Sequence, residues 1–378
     1  MIYLDSSATT FQKPPEVAAA VAEAFAAMSS PGRGGYESAM KAAETLFQCR
    51  TELAELFHVS DPARVVFTMN ATHGLNIAIK SLVRPGGTAV ISGYEHNAVT
   101  RPLEALGAEV FVAAAPLFRP EEVLEAFEGM IRPGMDAVIC NHVSNVFGMV
   151  QPIEGIGKLC RERGVPLVVD ASQSAGIVYL DMEELGAAFV AMPGHKGLYG
   201  PQGTGVLLCG GENLPETLIE GGTGSLSLRQ QMPDFLPDRL EAGTHNVPGI
   251  AGLLAGVRYV RGRGVEQICQ KERLLALRLA EQLEKIPSVR VFASPGMAGQ
   301  VGVVSFTVEG WDCEEIAAFL GERGFAVRAG LHCAPLAHRS GGTLHCGTVR
   351  VSFSDFSTEE EVDLFASALW TLLRDNSE

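Results

Sequence analysis

The sequence predicts an α/β protein, a mostly parallel sheet covered on both faces with a smaller α/β unit after it. Three observations carry this. Seven short apolar runs, at 64–68, 88–92, 109–113, 137–141, 167–170, 189–192 and 205–209, recur between polar loops. They are continuous rather than alternating, the pattern of strands buried on both faces. Helical stretches such as 121–130 and 155–163 fit between them, and this alternation builds parallel crossovers. Beyond residue 286 the pattern changes. Runs at 289–292, 301–308, 326–328 and 350–353 read as strands and 313–324 and 358–373 as helices, which makes a separate unit of few strands.

Taken in order, residues 1–4 form a short strand and Asp5–Thr10 a polar turn. Pro14 and Pro15 open an alanine-rich helix, since proline is tolerated in a first helical turn. The segment 29–35 breaks it, and a second helix covers 38–57. The strand at 64–68 runs into Met69-Asn-Ala-Thr-His-Gly-Leu-Asn76 and an apolar helix. A helix start here presents N–H groups and a hydroxyl to an anion, or is only a cap. Residues 212–249 lack a regular pattern, and so long a loop in a compact protein is usually functional. A long helical stretch at 248–286 leads into the last unit.

Hydrophobic residues make up 47% of the 378, which supports a sizeable core and excludes a disordered chain. A net charge of −15 repels phosphate backbones and argues against nucleic acid as a partner. The N-terminus lacks a basic segment followed by an apolar run, and the most apolar long stretch, 17–28, is too short to span a bilayer. These features predict a cytoplasmic protein without membrane attachment. The 8 cysteines are widely spaced and form no disulfide framework.

The polar motifs converge. Thr72, His96, Asn145, Asp170, Gln173, His195 and Lys196 each lie just after an apolar run, and open α/β sheets bind ligands beyond the carboxyl ends of their strands. Lys196 sits between a strand end and the glycines 197, 200, 203 and 205, and Asp170 ends another strand. A loop lysine and a strand-end aspartate are what pyridoxal 5′-phosphate (PLP) needs, one to hold the aldehyde and one to keep the pyridine nitrogen protonated. A surface lysine and a capping aspartate fit the same letters. Arg328-Ala-Gly-Leu-His-Cys-Ala-Pro335 joins a strand to a loop. Cys333 there reads as a nucleophile or as a buried structural thiol. It also reads as a metal ligand with His332, His338, His345 and Cys346, although the spacing matches no zinc pattern. Arg350, opening the last strand, reads as a carboxylate clamp or a surface residue.

Together, His195-Lys-Gly-Leu-Tyr-Gly-Pro201, Asp170-Ala-Ser-Gln173, Glu95-His-Asn-Ala98, Ser144-Asn145 and Arg328-Ala-Gly-Leu-His-Cys333 resemble the group II cysteine desulfurase and selenocysteine lyase branch of the class V aminotransferases. The resemblance runs over nearly the whole chain. It implies a fold-type I PLP-dependent transferase with a seven-stranded sheet. Residues 13–250 would form the large domain, and 251–378 with 1–12 the small domain carrying the cysteine loop. It implies a homodimer that converts L-cysteine to L-alanine and passes sulfur as a Cys333 persulfide to an acceptor protein. L-selenocysteine cleavage, or another PLP lyase or epimerase reaction, is the alternative.

Residue by residue, the resemblance makes Lys196 the cofactor-bearing lysine and pairs Asp170 with the ring nitrogen and Gln173 with the ring hydroxyl. It stacks His96 on the ring, where it joins Lys196 and Cys333 in catalysis, and brings Asn145 to the ring or the substrate. Ala71, Thr72 and His195 hold the phosphate, with Thr244 reaching it from the other subunit. Arg350, with Ala8 nearby, takes the substrate carboxylate, and Arg328 supports the loop of Cys333. No metal is implied. The chain departs from the family pattern at Pro193, Gly197, Leu331, Tyr36 and His73, which bears on substrate choice and rate.

Overall fold

The computed structural model describes every residue except Arg33, Glu212, Asn213 and 376–378. The helix break read at 29–35 and the loop read at 212–249 therefore lie partly outside the described residues. Strand β1 (Ile2–Tyr3) precedes helices α1 (Pro15–Ala27) and α2 (Glu37–Leu56). Strands and helices then alternate as β2 (Val65–Thr68), α3 (Ala71–Leu82), β3 (Thr88–Ser92), α4 (Asn97–Ala105), β4 (Glu109–Ala113) and α5 (Pro120–Met130). They continue as β5 (Ala137–Asn141), α6 (Ile153–Arg163), β6 (Leu167–Asp170), α7 (Met182–Leu185), β7 (Phe189–Pro193) and β8 (Gly205–Cys209). Helices α8 (Val247–Arg263) and α9 (Val265–Leu283) lead to β9 (Val289–Phe292), β10 (Val303–Val308) and α10 (Cys313–Glu322). The chain finishes with β11 (Phe325–Ala326), β12 (Arg328–Gly330), α11 (Pro335–Gly341), β13 (Thr348–Ser352) and α12 (Glu359–Asp375).

The large sheet has seven strands in the order β2-β8-β7-β6-β5-β3-β4. Only β8 is reversed, running antiparallel to both β2 and β7. The apolar runs explain the layering. Val90, Val138, Val169 and Val190 join one core, while their chain neighbours Ile91, Ile139, Val168 and Ala191 join a second. Successive side chains point to opposite faces, so a continuous apolar run fills both. Each such valine or isoleucine withdrawn from water contributes about 1.5–3 kcal/mol.

The second unit has an antiparallel sheet, β12-β13-β10-β9, and its own core of Leu275, Leu279, Val304, Phe306, Val351 and Phe365 among others. Leu4 belongs to this core, and β1 pairs in parallel with β11, so the N-terminal strand is built into it. At Gly264 (φ 88°) the stretch read as one helix divides into α8 and α9; Val260 and Ile268 on either side share one apolar cluster, and the second unit's core takes over at Leu275. The run read as a strand at 326–328 also divides. β11 pairs with β1 and β12 with β13, so the chain changes sheets at Val327. The last strand begins two residues earlier than the run read at 350–353, because Thr348 and Val349 pair with Gly330 and Ala329. The strand read from 301 begins at Val303.

Candidate active site

A pocket of about 260 Å³ opens at the carboxyl ends of the large sheet, and loops from both units line it. β2, β3, β5, β6 and β7 each lead into residues that line it. β2 hands over to α3 through Asn70, whose side chain accepts from the His73 amide at 2.9 Å. The first helical N–H groups, those of Ala71 and Thr72, have no acceptor within the helix, and both residues line the pocket. Gly205 makes this close approach possible, because a Cβ there would lie 2.6 Å from the Asn70 carbonyl carbon.

β3 leads to His96, which caps α4: its Nδ1 accepts from the Ala98 amide at 3.0 Å. The imidazole is therefore neutral with its proton on Nε2, and burial, with Lys196 nearby, lowers its pKa against the pull of Asp170. Asp170 ends β6. It is 4% exposed, and its Oδ1 accepts from both the amide (2.9 Å) and the hydroxyl (2.5 Å) of Ser172. Gln173, one residue on, donates to the Ser7 carbonyl at 3.0 Å.

Lys196 lies on the loop after β7. Gly194 N–H donates to Thr204 O at 2.9 Å, Gly200 N–H to Gly194 O at 2.7 Å, and Thr10 Oγ1 to His195 O at 3.1 Å, so both ends of the loop are held. Gly197 has a packing cause: a Cβ would stand 2.4 Å from the Ala175 carbonyl. Burial pushes the Lys196 amine down to about 8, with Asp170 opposing and Arg350 and Arg328 assisting. Burial, with Lys196 and Lys13, pushes His195 down to about 4.

The small unit supplies the far wall. Arg350, 2% exposed, donates through Nη1 to Asn145 O at 2.9 Å and through Nη2 to Asp5 Oδ1 at 2.7 Å. Arg328 Nε donates to the other oxygen of Asp5 at 3.1 Å. Two guanidiniums thus share one carboxylate, which leaves one positive charge over. Asn145 donates to His332 O at 2.8 Å, and Asn97 N–H to Cys333 O at 2.8 Å, so the cysteine loop is tied to the large unit on both sides of its thiol residue. His332 and Cys333 are both left-handed (φ 48° and 56°), a conformation that side-chain-bearing residues seldom adopt. Cys333 is exposed and lines the pocket.

The structure brings Ala8, Ala71, Thr72, His96, Asn145 and Asp170 into this one pocket, together with Gln173, His195, Lys196, Arg328, Cys333 and Arg350. Thr244 lies elsewhere in the chain, in a second cavity beside Thr68 and Gly205. His332 and His338 are buried and stacked, with centroids 5.6 Å apart, whereas His345 and Cys346 line a separate groove. Among the described residues, no three His, Cys, Asp or Glu side chains are placed to hold a metal ion. No helix among them is long and apolar enough to cross a membrane.

Asp5 was missed as a site residue by the sequence reading. It sits in the polar turn after the first strand, and only the fold shows that it faces two arginines. Ser172 was also missed, although Asp170-Ala-Ser172 carried a local signal, an aspartate two residues before a hydroxyl that donates to it; His332 was read only as a neighbour of Cys333 or a metal ligand, and Glu95 only as part of the motif before His96.

The fold and this lysine–aspartate pocket define a class V aminotransferase. Residues 2–365 match the family model described as "Aminotransferase class-V", and the chain belongs to that family. It is 34% identical to a probable cysteine desulfurase of Xylella fastidiosa strain 9a5c, over 98% of this chain and 90% of that one. It is 32% identical to a cysteine desulfurase of Salmonella agona, over 99% and 94%. It spans 55% of a longer probable cysteine desulfurase of Mycolicibacterium paratuberculosis, at 32% identity over 98% of this chain. Among solved structures, the apo cysteine desulfurase of Thermococcus onnurineus NA1 superposes with a TM-score of 0.89 at 30% identity, covering 99% of this chain and 95% of that one.

Proposed function

We propose that the chain is a PLP-dependent cysteine desulfurase, which takes sulfur from L-cysteine onto Cys333 and releases L-alanine. The observation that carries this is a single pocket holding Lys196 and Asp170 on one wall and the exposed Cys333 thiol with Arg350 on the other. A PLP-sized group fits the side chains present. His195 Nδ1, Asn145 Oδ1 and Arg350 Nε, on residues that line the pocket, are buried without partners, which leaves each able to hydrogen-bond to a polar group bound there. The start of α3 offers N–H groups to a phosphate, and Asp170 offers a carboxylate to a pyridinium.

Bound there, the cofactor supplies an electron sink that lets the α-proton of an amino acid leave and weakens its carbon–sulfur bond. The chain supplies the rest. Lys196 Nζ, with its pKa near 8, is neutral in part of the population at neutral pH and can take and return that proton. Asp170 holds the ring nitrogen, Gln173 the ring hydroxyl and His96 a ring face; Ala71, Thr72 and His195 hold the phosphate. Thr244 completes the phosphate site of a second copy in a homodimer. Arg350, with Ala8 and Asn145 beside it, receives the substrate carboxylate, and the surplus positive charge left by the Asp5 pairing matches one carboxylate. Cys333 takes the sulfur: L-cysteine and Cys333–SH become L-alanine and Cys333–S–SH, which an acceptor protein empties. Arg328, held by Asp5, supports the loop that carries it.

The test is one preparation. The visible absorbance of the protein is recorded, L-cysteine is added, and alanine and sulfide are quantified with a thiol reductant present, for wild type and Cys333→Ala. Yellow protein making both in step, and losing this in the variant, is expected. Yellow protein that forms pyruvate, or turns over only L-selenocysteine, moves the reaction elsewhere in the family. Colourless protein that PLP cannot reconstitute overturns the reading.

A further inference from the structure

One carboxyl group behind the pocket has no part in the chemistry above. Glu95 is fully buried, between the end of β3 and His96. Its Oε1 accepts from the Asn141 amide at 2.8 Å and lies 2.5 Å from Ser92 Oγ, while its Oε2 has no partner. Ser92 Oγ is also 2.9 Å from Asn141 Oδ1 and accepts from the Tyr94 amide at 3.1 Å. The Asn141 side chain is oriented by its own donors: Nδ2 reaches Tyr94 O at 3.0 Å and Val143 O at 3.4 Å, so the atom facing Ser92 is the oxygen.

A serine hydroxyl carries one proton. It can serve Asn141 Oδ1 or Glu95 Oε1, but not both. An ionised Glu95 would leave one close oxygen pair with no hydrogen between its members, and a charged, buried Oε2 with no donor. Both are costly in a dry interior. A proton on Glu95 Oε1 fills the close pair and takes the charge off Oε2: Glu95 donates to Ser92, Ser92 to Asn141, and Asn141 to the Tyr94 carbonyl.

We propose that Glu95 is held as a neutral acid and serves as a positioning residue, joining the end of β3, and with it His96, to the strand pair that presents Asp170. Asn141 lies opposite Asp170 in the β5–β6 register, and His142 N–H donates to the Asp170 backbone carbonyl at 2.9 Å, so the chain of bonds fixes the strand that Asp170 pairs with. The titratable groups facing Glu95 are Asp170 from β6 and Cys140 from β5. Burial above all, with a contribution from Asp170, pushes Glu95 up to about 8. Losing the proton breaks the chain of bonds and sets a second negative charge beside Asp170. The role rests on reading Asp170 as the partner of the cofactor ring.

Infrared spectroscopy of the apoprotein tests the proton directly. A carboxylic-acid carbonyl band is expected at neutral pH, shifted in heavy water, absent in Glu95→Gln and fading as pH rises past about 8. Glu272, a second buried acid, gives its own band, which Glu272→Gln identifies. Absence of a Glu95 band at neutral pH overturns the proposal, and the pH dependence in wild type decides even where the variant does not fold. The positioning role is read in the holoenzyme, from the pH titration of its visible absorbance. Lys13 also falls near 8, so only a component that Glu95→Gln removes belongs to Glu95. Coincident wild-type and Glu95→Gln titrations overturn the role and leave the cofactor reading intact. A colourless wild type overturns the cofactor reading and leaves the infrared result standing.

Discussion

Asp5→Ala isolates the carboxylate that Arg350 and Arg328 share. The wild-type carboxylate bridges Arg350 at 2.7 Å and Arg328 at 3.1 Å. The two contacts differ in weight because the arginine side chains are 3% and 51% exposed. Arg328 can return to water, and its share is at most about 1 kcal/mol. Arg350 cannot, and stripping a buried charge of its partner costs about 3–5 kcal/mol. The Asn145 carbonyl that it keeps is a neutral acceptor and offsets only part of this. Urea unfolding of the apoprotein should therefore show Asp5→Ala less stable by about 3–5 kcal/mol, with Asp5→Asn between it and wild type. A carboxylate that enters the site replaces the missing charge, so L-alanine should raise the unfolding midpoint of Asp5→Ala more than that of wild type, by linkage. In the holoenzyme kcat/KM should fall about 100-fold, the scale of a grip displaced by about 1 Å. An Asp5→Ala apoprotein within about 1 kcal/mol of wild type would refute the reasoning, because Arg350 would then have been solvated or paired elsewhere.

Further outcomes follow from other contacts. Lys196→Ala should bind PLP without the wild-type visible band and make no alanine, by absorbance and amino-acid analysis. Gly205→Ala drives a methyl group to 2.6 Å from the Asn70 backbone, so it should cost about 1–3 kcal/mol and weaken PLP binding when apoprotein is titrated with the cofactor. Glu241 is buried between Arg50 (2.8 Å) and His245 (2.5 Å), and its pKa is lowered; burial alone would raise it, and Arg50 and His245 outweigh that. A lowered carboxylate pKa gives stability that is fully present above the unfolded value of 4.5 and lost as pH falls through the folded one. Wild type should thus lose stability on acidification more steeply than Glu241→Gln, as measured by thermal melts across that window.

The sequence made the layering legible because a strand covered on both faces has to be apolar throughout, and a ligand-binding residue has to follow its end. Lys196, Asp170 and His96 each follow a run that could be read locally. What stayed hidden depends on distance along the chain or on backbone contact. Asp5 meets Arg350 across 345 residues, and no local pattern records such a pairing. The reversal of β8 leaves no trace in Val206-Leu-Leu-Cys209, since an apolar run reads the same in either direction. The break at Gly264 did leave a signal, a glycine after Arg261 and Arg263, which is a helix end followed by a cap, though helical periodicity on both sides masked it. Gly197 stood out as a departure without a cause until Ala175 appeared beneath it.

The bond between Asp5 and Arg350 also sets an order of events during synthesis. The ribosome delivers the lysine wall first, and the large sheet can form around it while the arginine is still unmade. The first residues must wait through more than three hundred others for their partner. A product cut short between the two units carries Lys196 without Cys333 or Arg350. An unfinished chain therefore holds one half of the pocket, the wall of Lys196 and Asp170.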